Sequence, residues 1–237
     1  MRRAAGCLVA ALMLAGQPAL ADRSDAAKSP RGLGSEGYDW HRMTPERSEI
    51  VKLKGRPAPG REAFRGCRGC HKAEGEGLID GTYPRLTGQH ASVIIKQVTD
   101  VRAGIRVNPK MEPFASDHAM SPQEIADIAV FLSEAETAKE NGKGPDPGTA
   151  AGKALYEGRM CHTCHGGRGE GDRVQAYPAL AAQHYGYLLR EMEHIRDRTR
   201  SNSHPNMVRS VANLSRQQLE EIANYLSRLP DFRKAGP

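Results

Sequence analysis

At 237 residues the chain has room for one or two domains, but 38% hydrophobic and 5% aromatic content makes two self-sufficient cores thin, and domains of roughly 80–100 residues often lean on a metal, disulfides or a cofactor. The formal net charge of +6 and pI near 9.1 come from charges of mixed sign with no Lys/Arg-rich run, which argues against nucleic acid as a partner. One short apolar stretch near the N-terminus is too brief to span a membrane.

In chain order, residues 1–21 read as a Sec-type signal peptide. Arg2 and Arg3 supply the positive start, Leu8 to Leu14 the apolar segment, and Ala19-Leu20-Ala21 the small-x-small site, with cleavage expected after Ala21. The mature chain is therefore expected in the periplasm. Residues 22–56 form an N-terminal extension that holds the single tryptophan, Trp40.

Four cysteines remain after cleavage, and both pairs stand in C-x-x-C-H: Cys67-Arg68-Gly69-Cys70-His71 and Cys161-His162-Thr163-Cys164-His165. An even count in an exported chain suggests disulfides first, but this spacing is the attachment signature of c-type haem. The two thiols add to the porphyrin vinyl groups as thioethers, and the next residue, His71 or His165, is held beneath the iron as a ligand. The pairs lie 94 residues apart (161 − 67), too far for a zinc ribbon, and no α/β pattern supports a thioredoxin-like dithiol.

The same offset recurs along the chain. Tyr83-Pro84-x-Leu86 maps to Tyr177-Pro178-x-Leu180, Gln89-His90 to Gln183-His184, Arg102 to Arg196 and Ser121 to Ser215. The chain is a tandem duplication, with one unit over 57–138, a Gly/Lys/Pro-rich linker over 139–147 and a second unit over 148–237. Each unit is expected to be all-α. A short helix over Gly60–Gly66 delivers the first motif, and Val93, Ile94, Val98 and Val101 mark a second helix. Ile125, Ile128, Ala129 and Leu132 form the i, i+3, i+4, i+7 stripe of a third. That third helix opens with the capping box Ser121-Pro122-Gln123-Glu124. Ser215-x-x-Gln218 repeats the box, and Leu188, Met192 and Ile195 mark the middle helix of the second unit. The repeated Tyr-Pro-x-Leu points to haem packing by Pro84 and Pro178. His90 and His184 read as polar residues at a helix start.

A haem's chemistry turns on its other axial position, where methionine raises the potential and closes the iron. Met207, in His204-Pro205-Asn206-Met207, is the candidate in the second unit. In the first, Met111 follows Asn108-Pro109, whereas Met120 precedes the capping Ser121 and reads as a hydrophobic staple. His118 and His204 lie in the same loops as the runners-up.

With these residues in place the chain resembles the dihaem cytochromes c of the cytochrome c4 type, built from two class I cytochrome c domains, over roughly residues 57–230. The resemblance implies two covalent haems c, His/Met ligation at both, and a backbone carbonyl of Pro84 or Pro178 bonded to the proximal histidine. It also implies electron transfer with a respiratory complex, a terminal oxidase or another periplasmic oxidoreductase. The mature chain has no apparent spanning segment, and peripheral membrane association stays open. The alternatives are a dihaem enzyme of the peroxidase or thiosulfate dehydrogenase type, or a cytochrome subunit of a redox complex. Residues 60–140 carry 10 basic and 12 acidic groups and residues 148–237 carry 13 and 9. That asymmetry would steer partners, with Arg198 and Arg200 as the charges to test, although an uneven solvated surface explains it as well.

Overall fold

The computed structural model describes Met1 and residues 37–136 and 140–233. The expected signal peptide, its cleavage site and the extension before Gly37 lie outside them. Among the described residues everything regular is helical, and the one sheet-like feature is an isolated bridge between Asp172 and Tyr177.

Helix α1 (Pro45–Ile50) belongs to the extension. Thr44 caps it by accepting the Arg47 N–H at 3.2 Å, and Pro45 opens it. The first domain follows with α2 (Pro57–Ala63), a 3₁₀ turn (Phe64–Cys67), α3 (Arg68–His71), α4 (Ala91–Arg102), α5 (Glu112–Ala115) and α6 (Pro122–Glu134). The second repeats the order with α7 (Ala150–Gly158), α8 (His162–His165), α9 (Tyr185–Arg196), α10 (Pro205–Val211) and α11 (Arg216–Arg228). The helix expected over Gly60–Gly66 starts earlier, because Pro57 suits a first helical position, and it tightens into the 3₁₀ turn at Phe64. The methionine segments are more regular than loops. Pro113 sits in the first turn of α5 and Pro205 opens α10, so Met111 is the N-cap of one short helix and Met207 lies within the other.

Both capping boxes form, with Ser121 and Glu124 on α6 and Ser215 and Gln218 on α11. The apolar stripes meet where the periodicity puts them. Ile125, Ile128, Ala129 and Leu132 pack with Ile94, Ile95 and Phe64; Leu219, Ile222, Ala223 and Leu226 pack with Leu188, Met192, Ile195 and Tyr156. Met120 is buried in the first core and Leu214 fills its place in the second. In each domain the first and last helices touch at a glycine. A Cβ on Gly60 would stand 2.0 Å from the carbonyl oxygen of Asp127, and one on Gly152 2.0 Å from that of Glu221.

The described part of the extension, from Gly37 onward, packs across both domains. Ile50 enters the first core, and the Arg47 guanidinium pairs with Asp100 and donates to Thr99 Oγ1 at 3.0 Å. Trp40 reaches the second domain, where its indole N–H donates to the Gln175 carbonyl at 2.9 Å and its ring lies 6.1 Å from Tyr177 and 6.2 Å from His204. The described residues of the linker, from Glu140 onward, are likewise docked rather than free. Asn141 donates to the Ser227 carbonyl at 2.7 Å, Gly142 N–H donates to His184 Nδ1 at 3.0 Å, and Tyr185 N–H donates to the Gly142 carbonyl at 2.7 Å.

Candidate functional site

Helical spacing places the chemistry. Residues three and four apart share a helix face, so Cys67, Cys70 and His71 present together from the 3₁₀ turn and α3, and Cys161, Cys164 and His165 from α8. Each helix stops directly after its histidine: Lys72 turns to φ 66° and Gly166 to φ 77°. The chain then folds back as a tight loop. Gly77 N–H donates to the His71 carbonyl at 3.0 Å and Leu86 N–H to that of Gly75 at 2.7 Å; their counterparts are Gly171 to His165 at 2.8 Å and Leu180 to Gly169 at 2.7 Å. This loop delivers a proline carbonyl to each histidine. His71 Nδ1 lies 3.4 Å from Pro84 O, a long contact, and His165 Nδ1 lies 2.9 Å from Pro178 O. In this arrangement Nδ1–H donates to the carbonyl and Nε2 is left as the free lone pair. Burial holds both imidazoles below the ordinary histidine pKa, which keeps the lone pair available.

A cavity of about 1150 Å³ connects the two domains, larger than the roughly 300–1,000 Å³ of a single small-molecule pocket. It is lined by all four cysteines, His71, His165, Pro84, Pro178, Met111 and Met207, with aliphatic walls from α4, α9 and α11. Met120 does not line it. His118 is exposed and outside the lining. His204 does line it, but its Nδ1 accepts the Asn206 N–H at 3.0 Å as the cap of α10, which puts the neutral ring's proton on Nε2.

The donor set fits haem and not the competing readings. The four cysteines are free thiols, not disulfides. Among the described residues no group of three or more His, Cys, Asp or Glu is placed to hold a bare metal ion. A large apolar cavity, with a thiol pair and a buried neutral imidazole at each end, is what a covalently attached porphyrin requires. Cations also line it between the domains. Arg106, Arg190 and Arg200 surround Glu191 at 3.4, 3.6 and 2.8 Å. Burial alone would raise the Glu191 carboxyl, but Arg200, Arg106 and Arg190 hold it down. The surplus of positive charge suits the carboxylates of a porphyrin. Arg200 is thus largely buried in the seam between domains, and is not the exposed steering charge that its sequence position suggested.

The Gln-His pair does more than open a helix. His90 and His184 do stand at the N-caps of α4 and α9, but neither side chain caps its helix. Each instead crosses to the other domain: His90 Nε2 donates to the Glu170 carbonyl and His184 Nε2 to that of Glu76, both at 2.7 Å. The repetition of Gln-His at the 94-residue offset was the available signal.

The cytochrome c family model matches residues 57–136 and 149–230. The chain is 32% identical over 186 residues to cytochrome c4 of Thiocapsa roseopersicina, covering 74% of this chain and 93% of that one. It is 30% identical over 172 residues to the thiosulfate dehydrogenase electron acceptor of Stutzerimonas stutzeri, covering 69% and 78%. The crystal structure of reduced recombinant cytochrome c4 from Pseudomonas stutzeri superposes with a TM-score of 0.66 at 25% identity, over 74% of this chain and all of that one. With two matched domains, each bearing its C-x-x-C-H, the chain belongs to the cytochrome c family as a dihaem protein of the cytochrome c4 kind, with one haem c covalently bound through Cys67 and Cys70 and the other through Cys161 and Cys164.

Proposed function

We propose that the chain is a periplasmic one-electron carrier and not an enzyme, in which His71 and Met111 would hold the iron of one haem and His165 and Met207 that of the other. A bound haem c supplies reversible one-electron chemistry at iron. The protein's own residues do the rest. The cysteines would hold each group covalently, and the Pro84 and Pro178 carbonyls hold each imidazole in one tautomer with Nε2 free. The apolar walls would exclude water, and the Met111 and Met207 thioethers would supply ligands that keep substrates from the iron. The observation that carries the reading is the selection of methionines. Of the two described in the first domain, Met111 lines the cavity and Met120 packs in the core; in the second, Met207 lines it from the helix equivalent to α5. Met160 and Met192 also line it, but Met160 is exposed beside Cys161 and Met192 is buried in the core on α9.

Redox proteins are the partner class. The thiosulfate dehydrogenase electron acceptor among the relatives supports an oxidoreductase as donor, and a respiratory complex or terminal oxidase is the complementary acceptor. The test is spectroscopic. The purified protein is expected to be low-spin in both redox states and to bind carbon monoxide poorly. Met207→Ala should open one haem of the two to carbon monoxide and leave the other closed. A high-spin resting protein, or peroxide-dependent turnover of a reduced donor, would overturn the carrier reading in favour of an enzyme.

A further inference from the structure

A peptide group is one conjugated unit, so a hydrogen bond donated by its N–H polarises it and makes its carbonyl a stronger acceptor. The peptide between Pro84 and Arg85 is engaged at both ends. Its carbonyl faces His71 Nδ1, and its N–H donates at 2.8 Å to Oε1 of Gln183, a residue of the other domain. The peptide between Pro178 and Ala179 is engaged in the same way, with its carbonyl facing His165 Nδ1 at 2.9 Å and its N–H donating at 3.0 Å to Oε1 of Gln89. The amide orientations are fixed by their surroundings. Gln183 Oε1 also accepts the His184 N–H at 3.0 Å while its Nε2 donates to the Arg85 carbonyl at 2.8 Å. Gln89 Oε1 accepts the His90 N–H at 3.0 Å while its Nε2 donates to the Ala179 carbonyl at 3.0 Å. In either case a flipped amide would set donor against donor. The glutamines are thus related by a local two-fold, each clamping the peptide that holds the other domain's histidine.

We propose that the tuning is crossed, with Gln183 setting the reduction potential of the first domain's haem and Gln89 that of the second. The glutamine oxygen strengthens the proline carbonyl as an acceptor, which draws the Nδ1 proton and makes the imidazole a stronger electron donor to iron. A more basic ligand favours oxidised iron, so each glutamine lowers the potential of the haem in the opposite domain. The second haem responds more, because its histidine contact is 2.9 Å against 3.4 Å. The proposal rests on His71 and His165 as iron ligands.

The experiment is an NMR-monitored redox titration of the full dihaem protein, with haem methyl resonances assigned by domain. Gln89→Met keeps the side-chain volume and removes the acceptor. It should shift the reduction equilibrium of the second haem toward the reduced form by roughly twofold to tenfold, since polarisation changes a hydrogen bond by about 10–30% of its intrinsic strength. The first haem should stay within about twofold. Gln183→Met should give the converse pattern with a smaller shift. Gln89→Glu retains an acceptor for the Ala179 N–H but loses the donor to the Ala179 carbonyl, so the second haem should remain at or below its wild-type potential, while an unchanged first-haem spectrum and potential in Gln89→Met guard against a variant that folds poorly. Equal shifts of both haems, a shift of the haem in the mutated residue's own domain, or no shift would each overturn the proposal. A wild type lacking low-spin, histidine-ligated spectra would overturn the ligand reading and the tuning with it. Intact spectra with uncrossed potentials would overturn the tuning alone.

Discussion

Asp100→Asn is the perturbation that tests how the extension is held. Asp100 is fully buried on α4 and is shared by groups from three parts of the chain. It pairs with Arg47 of α1 and with Lys96 at 3.0 Å, accepts from Tyr38 Oη at 2.8 Å, and accepts from Asn202 of the second domain at 2.9 Å. Asparagine keeps the shape and removes the one anion between two buried cations. Lys96 has an escape. Burial, only partly offset by Asp100, already pushes its pKa down to about 8, so at pH 7 losing the proton costs little, on the order of 1 kcal/mol with the anion present and less without it. Arg47 has none, because a guanidinium stays charged. Leaving one partner of a buried pair uncompensated costs about 3–5 kcal/mol, which for a chain of this size lowers Tm by about 6–20 °C. The alternative relaxation is release of the extension to hydrate Arg47, and Trp40 reports it. The single tryptophan lines the haem cavity, so its emission, quenched in place, should rise on release. Thermal melts and tryptophan fluorescence of Asp100→Asn measure the two outcomes. Adding Arg47→Met should recover a large part of the loss, since it removes the stranded charge. A variant that melts within about 3 °C of wild type with unchanged fluorescence would refute the account, as would a double variant no more stable than the single.

Gly60→Ala should destabilise the first domain by about 1–3 kcal/mol or more, because its Cβ would stand 2.0 Å from a backbone oxygen of α6. Gly167→Ala, whose Cβ meets nothing within 4 Å and which lies outside the cavity lining, should be near neutral in the same denaturant titration. His184 accepts from Gly142 at Nδ1 and donates to Glu76 at Nε2, and burial lowers its pKa. The unfolded chain therefore binds its proton first, and stability should fall as pH drops below about 6.5, by at most about 1.4 kcal/mol per pH unit. The slope should be shallower in His184→Asn, and equal slopes would contradict the assignment. Burial would raise the Asp231 carboxyl, but Arg233 and Arg85 hold it below its ordinary value. Its contribution is present above about pH 3.9 and lost as pH falls through the folded value, so Asp231→Asn should flatten the acid limb of the stability curve.

The 94-residue offset separates what the sequence could disclose from what it could not. Positions that repeat and are apolar, such as Leu132 and Leu226, are core stripes that helical periodicity reveals. Repeated polar positions with no local job are the cross-domain bonds. Gln89-His90 and Gln183-His184 bind backbone groups of the opposite domain, and no window of sequence contains both partners. Positions where the repeat breaks build the asymmetry. Arg85, whose counterpart is Ala179, carries a buried guanidinium paired with Asp231. Asp100 and Lys96, opposite His194 and Arg190, form the anchor for an extension that has no second copy. Neither pairing has a periodic signature, because each joins a singular residue to a segment distant in the chain, as Trp40 joins Gln175. The methionines fall between these cases. Their segments were legible from Asn-Pro and His-Pro, but the two short helices were not, because a proline that opens one turn of helix looks the same in sequence as a proline in a loop. The consequence for function is physical. Repeated residues make two equivalent haem sites, and the departures surround those sites with different charge, so the two haems are expected to differ in potential although the ligands proposed for them match.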